Sequence, residues 1–182
     1  GFEFVEGNAE LTPARLVGHF DPARVLTDGY DPDVFVDGPL VSAMRDGSLL
    51  YVEEINRIPE ETLNVLITVM SERELHVPRL GRVAAAAGFR LVAAMNPCPC
   101  GYLGSTQPTC RCTSEQVMRY QGRLSGPWLD RMDMQVWVPT LSPAQLLEAP
   151  DGESSATVQA RCEAAHARAI DRRGVANHAL TA

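Results

Sequence analysis

Apolar positions recur along this chain in two rhythms, one of period two or continuous and one near 3.6, and the alternation of the two lays out its elements. Phe2-Glu3-Phe4-Val5 alternates like a short strand with one buried face. Leu49-Leu50-Tyr51-Val52 is a continuous apolar run, which predicts a strand covered on both faces. Phe89–Met95 predicts a second buried strand, ended at Asn96-Pro97 because the residue before a proline leaves the helical region. Met134–Val138 predicts a third. Between them lie helical segments. Leu40–Arg45 is a short helix stopped by Gly47, and a longer one begins at Pro59 with Glu60 and Glu61 in its first turn. Leu63, Leu66, Ile67 and Met70 give that longer helix one apolar face. Ser114–Leu124 and the Ala- and Arg-rich Glu153–Arg173 complete the set. Leu16–Asp37, broken by Gly18, Pro22, Gly29 and Pro32, reads as a long loop with a two-stranded excursion whose second arm is Val34-Phe35-Val36. Glu74–Val77 and Arg82–Ala84 form a hairpin around Pro78–Gly81. Strands alternating with helices predict an α/β layered fold with a largely parallel sheet.

Composition narrows the chemistry. All 16 basic residues are arginine, so these 182 residues hold no complete G-x-x-x-x-G-K-[ST] phosphate loop, which needs its lysine. The formal net charge of −7 argues against a general electrostatic grip on nucleic acid. The charge is uneven: residues 1–97 carry 15 acids and 8 arginines, and residues 98–182 carry 8 of each. No apolar stretch reaches membrane length and the start has no basic-then-apolar signal, so a cytoplasmic protein without membrane contact is expected.

Two constellations carry chemistry. Glu53 and Glu54 directly follow the Leu49–Val52 strand, and ligands of open α/β sheets bind beyond that end. In phosphoryl-transfer sites one such acid holds Mg²⁺ and the next polarises the attacking water, roles that fall to Glu53 and Glu54. The alternative is a solvated acidic pair favoured by the following helix dipole. Cys98, Cys100, Cys110 and Cys112 form a C-x-C…C-x-C set, and four thiolates can close a tetrahedral Zn²⁺ site around a loop. An iron–sulfur cluster or a set of free thiols are the other readings. Cys162 reads as a core or half-buried residue of the last helix.

The order strand, Glu53-Glu54-Ile55-Asn56-Arg57, helix, hairpin, strand, Asn96 resembles an AAA+ ATPase of the MoxR branch over residues 11–96. Residues 89–180 resemble the magnesium-chelatase-like ComM group, through Leu91–Gly101, Cys110-Arg111-Cys112-Thr113, Gln116–Tyr120, Arg123–Pro127 and Leu129–Asp133. A join between the two likenesses would fall near residues 89–97. The resemblance implies a partial AAA+ (P-loop NTPase) core over residues 1–148, with β-hairpin inserts, and the start of a helical C-terminal lid over 149–182. It places the phosphate-loop strand, its loop and its lysine before Phe2. The isolated chain is then expected to be inactive and to expose unpaired strand edges.

By the same resemblance Leu49–Glu54 is the Walker B motif, Glu53 the Mg-ATP ligand, Glu54 the base and Asn96 the sensor that positions the lytic water. The family has aspartate where Glu53 stands, and the extra methylene disturbs metal geometry. Arg131 is the arginine finger acting on a neighbouring subunit, since arginine stays charged and offers several donors to phosphate. Leu16–Asp37 and Glu74–Ala84 become inserts that face a client. The implied whole is a homo-oligomeric ring, a hexamer, that uses ATP and Mg²⁺ to remodel a client protein, in MoxR relatives one with a von Willebrand A domain. The other readings are a ComM-like motor on branched DNA and a non-catalytic, zinc-stapled interaction module.

Overall fold

A computed structural model of the chain describes residues 1–105, 108–139, 141, 147 and 152–174. Its centre is a three-stranded parallel sheet in the order β1 (Phe2–Glu6), β4 (Leu49–Glu53), β7 (Arg90–Ala93). Side by side across it stand Phe4, Tyr51 and Val92. Two antiparallel pairs flank it, β2 (Gly18–Phe20) with β3 (Phe35–Asp37) and β5 (Glu74–Val77) with β6 (Gly81–Ala84). The result is an α/β fold with a parallel core sheet, flanking helices and antiparallel hairpins. The chain folds as two units, residues 1–137 and 138–182.

In the first unit α3 (Pro39–Asp46) packs on the sheet and buries Leu40, Val41, Ala43 and Met44 completely. Gly47 closes it in the left-handed region at φ 64°, where a side chain would be strained. Helix α4 (Glu60–Glu72) buries Thr62, Leu63, Leu66 and Val69, with Ile67 and Met70 half-buried beside them. The Thr62 hydroxyl donates to the Leu11 carbonyl at 2.7 Å, tying α4 to the start of α1 (Pro13–Val17). Helix α2 (Pro22–Asp28) lies inside the predicted excursion, capped by the Asp21 carboxylate. The Arg79 guanidinium at the tip of the β5–β6 hairpin sits 3.6 Å from the ring centre of Tyr30, so the two inserts touch.

Helices α5 (Ser114–Gln121) and α6 (Gly126–Leu129) complete this unit. In the second unit α7 (Ser155–Arg173) is capped by Ser154, whose hydroxyl accepts from the Thr157 N–H, and is braced by a two-pronged Arg161–Glu153 pair. Among the described residues, no helix is long and apolar enough to cross a membrane.

Three expectations are corrected. Residues 134–138 form no strand: Met134, Val136, Trp137 and Val138 are all exposed, and no described residue offers them a ladder partner, without which a strand does not persist. The central strands are buried on one face only. Val5, Leu50 and Val52 point into the core, whereas Phe2 is 60% exposed, Phe4 52% and Val92 43%. On that open face the Tyr51 ring stacks on Phe2 and Phe4, with centroids 6.5 and 5.9 Å away. Cys162 is exposed, on a helix that buries none of its described residues. The 148/149 boundary lies outside the described residues.

Candidate functional site

Strand β4 delivers Glu53 and Glu54 to the C-terminal edge of the sheet, and the backbone bends sharply there. Glu54 is in the left-handed region, φ 49° and ψ 43°, at the head of a 3-10 turn over Ile55–Arg57. A non-glycine residue in that region carries local strain and persists only where the surroundings fix it. They do so here. The Ile55 N–H donates to the Ala94 carbonyl at 3.1 Å, and the Ala94 N–H to Val52 at 2.9 Å. On the other side the Gly7 N–H donates to the Glu53 carbonyl at 2.8 Å. A Cβ on Gly7 would lie 2.4 Å from the Glu54 carbonyl oxygen, so this close approach requires glycine.

The turn aims the Glu54 carboxylate at Asn96, just beyond β7. The Asn96 amide nitrogen donates to Glu54 Oε1 at 2.5 Å. Two further groups address Oε2: the Tyr120 hydroxyl donates to it at 3.5 Å, and Arg57 Nε lies 3.7 Å away. The carboxylate is thus an anchored acceptor with one amide, one phenol and one guanidinium around it. Burial, the largest influence, pushes the Tyr120 phenol above its ordinary pKa, so it stays a neutral donor at working pH. The Asn56 side chain is 2% exposed, and its amide approaches the Tyr120 hydroxyl without reaching hydrogen-bond geometry. Glu53 ends β4 exposed, and its carboxylate has no hydrogen bond or ion pair among the described residues.

Arg131 stands elsewhere. Its Nε donates to Ser71 Oγ at 2.5 Å and its Nη1 to the Pro127 carbonyl at 2.7 Å, near the far end of α4. The eleven residue steps from Glu60 to Ser71 span about 16 Å of helix. The structure therefore unites Glu54 and Asn96 and leaves Arg131 apart from them. Arg131 has no ion pair with Asp130 or Asp133 among the described residues.

The four cysteines converge. Cys98 is buried, Cys100, Cys110 and Cys112 are half-buried, and their sulfurs lie within 4.8 Å of one another. Cys98–Cys100, Cys100–Cys110 and Cys98–Cys110 sulfur separations are 3.5, 3.6 and 3.7 Å. A disulfide needs about 2.05 Å. Four thiolates around Zn²⁺ at about 2.3 Å stand about 3.8 Å apart on a tetrahedron. The three separations among Cys98, Cys100 and Cys110 match the second geometry, and Cys112 lies within 4.8 Å of each of them. Backbone N–H groups, first that of Arg111 and then that of Tyr102, hold the Cys100 thiol down to about 6, while burial pushes the Cys112 thiol up to about 12.

Tyr120 and Arg57 are site residues that pattern reading of the sequence did not assign. Arg57 sits inside the Glu53–Arg57 run, so its reach back to Glu54 was available from the spacing. Tyr120 gave no such signal, because 66 residues separate it from Glu54.

Comparison with known proteins gives a consistent picture. Residues 35–146 match the family model of the magnesium chelatase subunit ChlI, and that span contains residues 89–97. The uncharacterized protein YifB of Salmonella typhimurium is 36% identical over 147 residues, 80% of this chain and 29% of that protein. The competence protein ComM of Haemophilus influenzae is 32% identical over 154 residues, 84% of this chain and 29% of that protein. The chain thus spans less than a third of the length of these two relatives. A solved structure of a putative ATPase from Cytophaga hutchinsonii superposes with a TM-score of 0.48 at 18% identity, covering 81% of this chain and 36% of that one.

Proposed function

We propose that this chain, which belongs to the magnesium chelatase ChlI family of AAA+ ATPase relatives, supplies the water-activating side of an ATP site. Glu54 is the general base and Asn96 the group that holds base and water in register. The contact between Asn96 and Glu54 Oε1 carries this reading: it joins the ends of two parallel strands, where ligands of open α/β sheets bind. Glu53, free at the strand end, holds Mg²⁺ of Mg-ATP, and the metal supplies charge neutralisation on the phosphates. Leu49–Glu54 is then the Walker B segment. The outer edge of β7, unpaired among the described residues, takes the phosphate-loop strand.

Arg131, about one helix length from Glu54, serves a neighbouring subunit's nucleotide in a homo-oligomeric ring, a hexamer. Residues 1–148 act as the core and 149–182 as the start of the lid. The cysteine cluster holds a structural Zn²⁺, supported by its tetrahedral sulfur separations. Reduced thiols suit a cytoplasmic protein. The client is a protein, engaged by the two inserts that Arg79 and Tyr30 clamp together. The net charge of −7 favours a protein client over DNA. Stimulation of turnover by branched DNA and not by any protein would reverse that assignment.

The test is Glu54→Gln in the full-length gene product. ATP turnover should fall by roughly 10²- to 10⁴-fold, the worth of a general base, with nucleotide binding retained. Unchanged turnover would remove Glu54 from the chemistry.

A further inference from the structure

Between Asn96 and α5 the chain runs through residues 97–113 without a helix or strand among its described residues. Loops of this length are uncommon in compact domains unless something braces them. Here both ends of the loop return to one place. Asn96, at its start, holds Glu54 Oε1. Tyr120, on the helix that follows, reaches Glu54 Oε2. The next residue, Gln121, donates from Nε2 to the Pro97 carbonyl at 2.9 Å and closes the loop on itself. The four sulfurs, two from each end of the same loop, gather at one place. Cys112 adjoins Thr113, which caps α5 in a reciprocal box with Gln116: the Gln116 N–H donates to Thr113 Oγ1 at 3.2 Å, and the Thr113 N–H to Gln116 Oε1 at 2.9 Å. Gly101, at φ 81°, passes the Asn96 side chain, with its Cβ position 3.7 Å from Oδ1. The sulfur cluster, α5 and the carboxylate therefore form one mechanical ring.

We propose that Tyr120 is a positioning residue for Glu54, and that a metal ion on Cys98, Cys100, Cys110 and Cys112 is the strut that keeps it there, so that metal occupancy governs hydrolysis. α5 buries none of its own residues, so apolar packing does little to hold it. Its hold on the site runs through Tyr120, Gln121 and the loop that the sulfurs would bind together. Without the metal the loop gains freedom, α5 drifts, and Glu54 Oε2 loses its neutral donor while Asn96 still holds Oε1. The carboxylate then keeps one hydrogen bond, to Asn96, and only the looser Arg57 pair at 3.7 Å on Oε2. It samples orientations that do not face the water, and displacements near 1 Å cost on the order of 100-fold in rate. This inference rests on Glu54 being the base.

The experiment has two arms. In the full-length gene product, removal of bound Zn²⁺ by a chelator should lower kcat by roughly 10-fold or more and leave KM for ATP unchanged. Tyr120→Phe should lower kcat to a similar degree with metal content intact, and stripping that variant should cost nothing further, because both changes remove one interaction. Equal kcat in stripped and loaded protein, or losses that multiply, would overturn the proposal. Glu54→Gln run alongside separates the two claims: if it keeps full turnover, the hydrolytic reading itself fails. The second arm needs no activity. Amide exchange on the full-length gene product, Zn²⁺-loaded against stripped, should show protection lost over Ser114–Gln121 and retained over Leu49–Glu53. Unchanged protection of Ser114–Gln121, or a loss extending through Leu49–Glu53, would contradict the strut.

Discussion

From Phe2 to Ala93 the chain is held by apolar burial, whereas the described residues from Asn96 to Thr113 bury little and gather around four sulfurs. In the first region α3 and α4 close over Val5, Leu50 and Val52, and the core includes Ile55, one residue beyond Glu54. In the second, Cys98 is the one fully buried apolar side chain among the described residues, and its neighbours in space are other cysteines. The difference teaches how the site divides its labour. The packed region fixes the backbone bend at Glu54. Asn96 and Tyr120, which flank the sulfur region in the chain, are the side chains that address its carboxylate.

Leu50→Ala breaks the packed side most strongly. Leu50 is fully buried in the centre of the sheet, and its truncation should cost about 2–5 kcal/mol in urea unfolding. A loss below about 1 kcal/mol would mean the central strand is not the core that its burial indicates. Thr62→Val is the next step down. It removes the donor to the buried Leu11 carbonyl at nearly constant volume and should cost about 1–3 kcal/mol, measured the same way. Neither substitution should change Zn²⁺ stoichiometry by metal analysis, because neither touches the sulfur loop.

On the sulfur side, Cys98→Ser should abolish stoichiometric Zn²⁺ binding while the far-ultraviolet dichroism of the sheet and α4 persists. Full metal retention in that variant would mean the ion sits elsewhere. The smallest effect belongs to the open sheet face. Phe4→Thr should alter stability by no more than about 0.5 kcal/mol, since Phe4 is half exposed and stacks on Tyr51 alone. A large loss would show that this face is covered in the folded protein.

The same contrast explains what could be read in the sequence. Leu49–Val52, Leu63–Met70 and the Glu74–Ala84 hairpin were legible because periodicity and turn residues act over a few positions. Glu54 and Asn96 were legible as ends of strands. The one-sided burial of β4 was not, because a continuous apolar run states what the strand tolerates and not what lies on either face. Met134–Val138 failed as a strand for a related reason: β propensity becomes a strand only when a neighbour supplies the ladder. The cysteine spacing pointed to the convergence of the four sulfurs, but the return of Tyr120 to Glu54 depends on the path of the whole loop, which no local pattern encodes.

The central claim is that Glu54 and Asn96 act on water as one unit. Single-turnover ATP hydrolysis by full-length Glu54→Gln, Asn96→Ala and the double variant tests it most directly. The account predicts that the double variant is no slower than the slower single variant, since removing either partner already dismantles the pair. Losses that multiply in the double variant, or an Asn96→Ala protein at full rate, would contradict it.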